Sequence, residues 1–196
     1  MPGLSNGVKN KPKRTNLLIK LAKGGYSMAE SPLNGKRILA VDDEPDVLEV
    51  LEDEILGESP NCQFEKATSY ETAANMLKSK NYDLVILDIM GVQGFELLNL
   101  AVSRNLPVAM LTAHSLNPES LRLSIEMRAR AYLPKEKMGE IVPFLESIFE
   151  ISEYLSGWAQ QMRRLEGYFN ARWGDNWKES EAKFWKEFEK KTGRIE

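Results

Sequence analysis

Acidic side chains stand at the ends of two predicted strands, where they could bind a metal ion. The apolar run Leu84–Leu87 is typical of a strand buried on both faces of a parallel sheet, and it ends in Asp88. A second run, Arg37–Val41, leads directly into the acidic stretch Asp42–Glu44. If the two strands are neighbours, three carboxylates meet where open α/β sheets bind their ligands. Such a cluster repels itself unless protons or a cation neutralise it, and oxygen ligands favour Mg2+ or a similar hard ion.

A hydroxyl group and an amine close two further predicted strands. The run Pro107–Thr112 ends in a threonine, and the run Ala131–Lys135 ends in a lysine. Acid pair, acid, hydroxyl and lysine each close a strand, in that order. This pattern resembles the receiver domain of two-component response regulators, such as the chemotaxis regulators. The resemblance extends over about residues 35–150.

Strand and helix signals alternate five times from Arg37 onward. Apolar residues at helical spacing follow each strand, and Pro45, Pro118 and Pro143 fall in first turns, where helices tolerate proline. The predicted helices cover residues 45–56, 70–80, 95–104, 118–128 and about 141–155. Such alternation requires a parallel sheet covered on both faces. The resemblance adds the flavodoxin-like strand order 2-1-3-4-5. We therefore expect an α/β fold, a doubly wound five-stranded parallel sheet with a C-terminal α-helical extension.

Composition divides the 196 residues into three predicted regions. Residues 1–34 are rich in Gly, Asn, Lys, Pro and Ser, which predicts a disordered tail; its basic residues could instead form an arm for an acidic partner. Met28 could be the natural start of the protein. Residues 35–155 would form the receiver domain. Residues 156–196 hold all four tryptophans, and they predict two short helices that must pack on the receiver, a second subunit or a partner.

The resemblance implies a phosphorylation site at Asp88. It implies that this residue accepts a phosphoryl group from the histidine of a sensor kinase or phosphotransfer protein. It also implies that Asp43 and Asp88 bind Mg2+ directly, together with the backbone carbonyl of Met90, while Asp42 acts through water. The bound ion would let an anionic phosphoryl donor approach the carboxylates.

The resemblance also implies a conformational switch. Lys135 would pair with the phosphoryl oxygens, and Thr112 would donate a hydrogen bond to them. Tyr132 stands where the family carries its switch aromatic residue. The face formed by the fourth helix, fifth strand and fifth helix would then change shape and signal to a downstream protein. That face, or the C-terminal helices, could also form a homodimer.

Two segments depart from the family pattern. The turn after the phosphoacceptor usually continues to a methionine, a proline and a later glycine, whereas Asp88–Gly94 is about two residues shorter and lacks the proline. Glu136 follows Lys135 where the family favours proline, often after a cis bond. A cis bond before a residue other than proline costs about 2.5–4 kcal/mol, so we expect a trans bond. His114, the only histidine, is expected to be a solvated loop residue.

Composition and motifs weigh against other function classes. The net charge of −3 gives no general attraction to nucleic acid or to an acidic membrane surface, and one cysteine, Cys62, fits the reducing cytoplasm. We expect a signalling protein and not an enzyme. Two alternatives remain: a receiver-like scaffold that is never phosphorylated, and a Mg2+-dependent phosphohydrolase. The phosphohydrolase is disfavoured because Met90 stands where such enzymes need a second acid. Taken singly, Asp42 or Asp43 could also be a helix N-cap, Asp88 a turn acid and Lys135 a solvated lysine.

Overall fold

Five parallel strands form one sheet in the order β2-β1-β3-β4-β5. The structure is a computed structural model and describes residues 30–113 and 116–193. The strands are β1 (Arg37–Val41), β2 (Gln63–Ala67), β3 (Leu84–Asp88), β4 (Val108–Thr112) and β5 (Ala131–Pro134). The order confirms the predicted flavodoxin-like sheet and places β1 beside β3.

Helices cover both faces of the sheet. They are α1 (Pro45–Glu58), α2 (Tyr70–Ser79), α3 (Gly94–Ser103), α4 (Pro118–Glu126), α5 (Ile141–Glu150), α6 (Tyr154–Trp173) and α7 (Ala182–Lys191), with short 3-10 helices at Lys135–Glu140 and Trp177–Glu181. Local chemistry fixes several starts: the Ser69 side chain accepts a hydrogen bond from the N–H of Thr72, and Asn117 and Ser120 form a capping box. Most predicted boundaries lie within about two residues of these ends.

The register of the sheet aligns the strand ends that carry the site. Val41 pairs with Leu87, and Asp88 pairs with Leu111. All five residues of β3 and all five of β4 are buried, whereas edge strand β2 is largely exposed or half-buried. The carboxyl ends of β1, β3 and β4 therefore meet at one edge of the sheet, as predicted.

The predicted fifth helix is two helices in the structure. Helix α5 ends at Glu150, and α6 begins at Tyr154, where the Glu153 carboxylate accepts hydrogen bonds from the N–H groups of Leu155 and Ser156. This N-cap forces a new helix start, because its side chain satisfies N–H groups that a continuous helix would use internally. The predicted boundary between residues 155 and 156 falls inside α6.

The chain joins the fold before the predicted residue 35. Leu33 is completely buried in the core, and the Ser31 hydroxyl lies 2.7 Å from the Ser59 hydroxyl. The N–H of Gly35, at a φ of +75°, donates to the carbonyl of Asn61. Residues from Ser31 onward belong to one compact unit that includes the C-terminal helices. The rest of the predicted tail, and Met28 with it, lies outside the described residues.

The C-terminal helices hold a cluster of aromatic rings. Phe169 stacks on Trp173 with 4.5 Å between ring centroids, and Trp177 meets Trp185 edge to face at 4.8 Å. Gly174, at a φ of +83°, ends α6 and separates it from the next helical turn. Within residues 30–113 and 116–193, no helix is both long enough and apolar enough to span a membrane.

Candidate functional site

Three carboxylates converge at the carboxyl ends of β1 and β3. One oxygen from each of Asp42, Asp43 and Asp88 lies within 4.8 Å of the others. The side chains differ in environment, since Asp42 and Asp88 are 1% and 5% exposed whereas Asp43 is open to solvent. Burial is the main reason that the pKa of Asp42 is raised, against the lowering by Lys135 and by the N–H of Glu44.

The ammonium group of Lys135 bridges this cluster. Its Nζ atom lies 2.8 Å from Asp42, 2.9 Å from Glu44 and 3.2 Å from Asp88. Lys135 begins the 3-10 helix that follows β5, and no cis peptide bond occurs in the described residues, as expected for Lys135–Glu136. Burial opposes its charged form, but the hydrogen bonds to Asp42 and Glu44 and the charge of Asp88 outweigh burial and raise its pKa.

The turn after β3 holds the Asp88 side chain in place. Its Oδ2 atom accepts hydrogen bonds from the N–H groups of Met90 and Gly91, both at 2.9 Å. Two glycines let this short turn pass close to the site. A Cβ at Gly91 would lie 1.8 Å from the Asp43 carboxylate, and one at Gly94 would lie 2.0 Å from the Asp88 carbonyl oxygen.

Thr112 presents a buried hydroxyl at the end of β4. The side chain is 1% exposed, and its Oγ1 atom has no hydrogen-bond partner among the described residues. An unpaired buried hydroxyl is unfavourable, so this group is poised to accept or donate a bond when a new partner arrives. The register places it one residue beyond Leu111, which pairs with Asp88.

Tyr132 is completely buried in β5. Its hydroxyl lies 2.8 Å from the Ser120 hydroxyl, and its ring meets Phe169 edge to face at 6.3 Å. Burial raises the pKa of the phenol above its usual value. The predicted switch residue thus lies inside the fold, in contact with α4 and α6.

The remaining predicted residues fall at the border of the cluster or outside it. Met90 is 62% exposed, and its carbonyl accepts a 3.4 Å hydrogen bond from the N–H of Gln93. His114 lies outside the described residues. Sequence reasoning did not predict that Glu44 pairs with Lys135 or that Gly91 is needed beside Asp43. The sequence features that could have indicated these roles were the position of Glu44 as the third acid of the 42–44 stretch and the position of Gly91 three residues after Asp88.

The side chains at this site fit the Mg2+ ion that the fold family implies. The converging ligands are carboxylate oxygens, the donors that hard divalent ions prefer. The absence of a Cβ at Gly91 leaves the Asp43 carboxylate room to lie beside the loop and face the cluster.

Comparison with known proteins gives consistent matches. A family model described as the response regulator receiver domain matches residues 38–146, more than half of the chain. The two-component response regulator ARR18 of Arabidopsis thaliana is 40% identical over 87 residues, which cover 41% of this chain and 13% of that protein. The response regulator GtcR of Aneurinibacillus migulanus is 30% identical over 126 residues, covering 60% and 51%. The chain thus spans about half or less of the length of these relatives.

Solved structures agree on the fold. The response regulator TrrA of Thermotoga maritima, solved in complex with Mg2+ and BeF, is 32% identical with a TM-score of 0.50, covering 58% of this chain and 98% of that one. A receiver domain from Colwellia psychrerythraea is 20% identical with a TM-score of 0.54, covering 59% and 99%.

Proposed function

The chain belongs to the family of response regulator receiver domains, and on this premise we propose that Asp88 accepts a phosphoryl group from a histidine kinase or phosphotransfer protein. The observation that carries the proposal is the convergence of Asp42, Asp43 and Asp88 within 4.8 Å, with the Lys135 ammonium 3.2 Å from Asp88. This arrangement suits phosphoryl transfer, which depends on positioning and electrostatic stabilisation more than on covalent help from the protein.

We assign a Mg2+ ion to the acidic cluster, held by Asp43, Asp88 and the Met90 carbonyl, with Asp42 acting through water. When bound, the ion neutralises the carboxylates and stabilises charge on the phosphoryl group. The donor set supports this assignment, as does the presence of Mg2+ in the structure of the Thermotoga relative.

In the transfer step, an Asp88 oxygen forms a bond to phosphorus while the bond from phosphorus to the donor's imidazole nitrogen breaks. The electron pair of that bond stays with the imidazole, and the product is an acyl phosphate. The loop amides of Met90 and Gly91 hold Asp88 Oδ2, and Lys135 contacts Asp88 Oδ1. Lys135 can then follow the negative charge from the carboxylate to the phosphoryl oxygens, because it is a point charge on a flexible stem.

The product is a signal and not a released compound. A phosphoryl group adds about −1.5 to −2 charges, and a hydrogen bond to such a group contributes about 1.5–3 kcal/mol. The Thr112 hydroxyl, which has no partner in the described part of the chain, is the group that would make this bond. Because Tyr132 on the neighbouring strand already lies buried against α4, movement of Thr112 would be transmitted to α4 and β5, and a downstream protein would respond to that change.

Phosphorylation by a small donor tests the proposal directly. Incubation with phosphoramidate and Mg2+, followed by intact-mass measurement, should add the mass of one phosphoryl group to the wild-type chain and none to Asp88→Asn. Asp46→Asn is the matched control, because Asp46 is an exposed acid in the first turn of α1 outside the cluster, and it should behave as the wild type.

Absence of the adduct on the wild type would refute the proposal and favour a scaffold that is never phosphorylated. Release of inorganic phosphate from a generic phosphomonoester, lost in Asp88→Asn, would instead favour the phosphohydrolase.

A further inference from the structure

The open edge of β5 is covered by the chain's own helix α6. The N–H of Tyr132 donates to the Gln161 side-chain carbonyl at 3.3 Å, and the Gln161 amide donates to the Arg130 carbonyl at 2.6 Å. One turn earlier, the Trp158 indole donates to the Ala129 carbonyl at 2.9 Å. Trp158 and Gln161, three residues apart on α6, thus make the hydrogen bonds that a further strand would make. The backbone at residues 129–132 is therefore not free to pair with another strand.

Helix α6 also contacts both helices that flank β5. The Tyr154 hydroxyl donates to the Ile125 carbonyl of α4 at 2.6 Å, and the Arg164 guanidinium lies over the Phe144 ring of α5, 5.4 Å from its centroid. The face formed by α4, β5 and α5 is therefore already occupied from within the same chain.

Two contacts join the C-terminal segment 154–191 to the residues of the proposed switch. The Phe169 ring packs against Tyr132, and the Trp173 indole donates to the Leu116 carbonyl at 3.3 Å. Leu116 lies four residues after Thr112 and directly before the N-cap of α4. The Trp173 indole therefore bonds to a residue that stands between Thr112 and α4 in the sequence, so a movement of Thr112 would disturb this bond.

We propose that the C-terminal segment 154–191 occupies the α4–β5–α5 face in the unphosphorylated chain and loosens when Asp88 is phosphorylated. This inference rests on the proposed function. Thr112 has no hydrogen-bond partner within residues 30–113 and 116–193, so a phosphoryl group would draw it away and displace Leu116 from the Trp173 indole. Coupling is reciprocal, so the docked segment also opposes phosphorylation. Any partner or second copy that uses this face must first displace the segment.

Tryptophan fluorescence can follow the segment selectively, because all four tryptophans, Trp158, Trp173, Trp177 and Trp185, lie in it. The full chain is treated with phosphoramidate and Mg2+, and the adduct, the emission spectrum and amide hydrogen exchange are measured on the same samples. We expect the emission to shift and exchange to increase over residues 169–185 as the adduct forms. Adduct formation without either change would overturn the inference and leave the proposed function intact. Absence of the adduct would overturn both.

The substitution Trp173→Phe tests the reciprocal effect. It keeps an aromatic ring against Phe169 but removes the indole N–H that holds the Leu116 carbonyl. Losing one hydrogen bond of ordinary strength should raise the equilibrium ratio of phosphorylated to unphosphorylated chain by about 2- to 10-fold. Trp185→Phe is the matched control, because Trp185 lies in the same aromatic cluster, is buried, and has an N–H with no partner among the described residues. Equal equilibrium ratios for Trp173→Phe and the wild type, with thermal melting showing both folded, would overturn the inference.

Discussion

Replacement of Gly91 by alanine should disable the metal site while leaving the fold intact. A Cβ at this position would lie 1.8 Å from Asp43 Oδ1 and 2.1 Å from its Cγ, whereas real contacts are not shorter than 3.0 Å. The Asp43 carboxylate must therefore retreat by more than about 1 Å. Mg2+ demands ligands at about 2.0–2.1 Å in near-ideal geometry, so this displacement removes a ligand. Even indirect disturbance of metal ligands typically costs about 10–100-fold in affinity, and we expect at least that loss.

Titration with Mg2+ measures this effect. The Mg2+ concentration that half-saturates phosphorylation by phosphoramidate should rise at least about 10-fold in Gly91→Ala, and calorimetry should show weaker Mg2+ binding. Thermal stability should change little, because Asp43 is exposed and can turn into solvent. Gly57→Ala is the control: apart from its chain neighbours and the backbone of α1, no described atom lies within 4 Å of the new Cβ, so it should leave Mg2+ dependence unchanged. An unchanged Mg2+ titration in Gly91→Ala would refute the assignment of Asp43 as a ligand.

Two further substitutions test contacts at the two edge strands of the sheet, β2 and β5. The pKa of Glu65 is lowered to about 2, mainly by the hydrogen bond from Lys80. The ionised carboxylate therefore stabilises the fold at pH values above its unfolded pKa near 4.5, and this stabilisation is lost as the pH falls towards 2. Urea unfolding should show Glu65→Gln about 1–2 kcal/mol less stable at pH 7 and equal to the wild type near pH 2; a pH-independent difference would contradict this origin. Gln161→Leu removes the partner of the Tyr132 N–H and of the Arg130 carbonyl and should cost about 1–3 kcal/mol. Gln160→Leu is the control and should cost less, because the buried Gln160 side-chain oxygen has no partner among the described residues.

The strands that carry the site were predictable because each ends in a polar residue after a continuous apolar run. Leu84–Leu87 has the composition of a fully buried strand, and the structure buries all five residues of β3. Once the strand order is known, the position of Asp88 beside Asp42 follows from geometry alone. The order itself came from the family resemblance, because periodicity records which residues form strands but not which strands are neighbours.

Contacts between distant segments were not predictable in the same way. The pattern in 156–196 indicated helices with an apolar face, but not the surface they cover. Nothing in the sequence distinguishes Gln161 from other polar residues, yet its side chain bonds to the Tyr132 N–H of β5 and to the carbonyl of the preceding Arg130. Leu33 stands in a stretch of polar residues and is nevertheless completely buried. In both cases the partner lies far along the chain, so no local pattern identifies it.

Burial decides how Lys135 can exchange its partners when a phosphoryl group arrives. In the present state the ammonium contacts Asp42, Glu44 and Asp88, and these contacts hold like charges together at one edge of the sheet. Glu44 is 56% exposed, so water can replace its ion pair at little cost. Asp42 is 1% exposed, and leaving it unpaired would cost several kcal/mol, on the order of 3–5. Lys135 should therefore release Glu44 first and keep Asp42 while it turns towards the phosphoryl oxygens. We therefore expect Glu44, the third acid of the 42–44 stretch, to act as the exchangeable partner of Lys135.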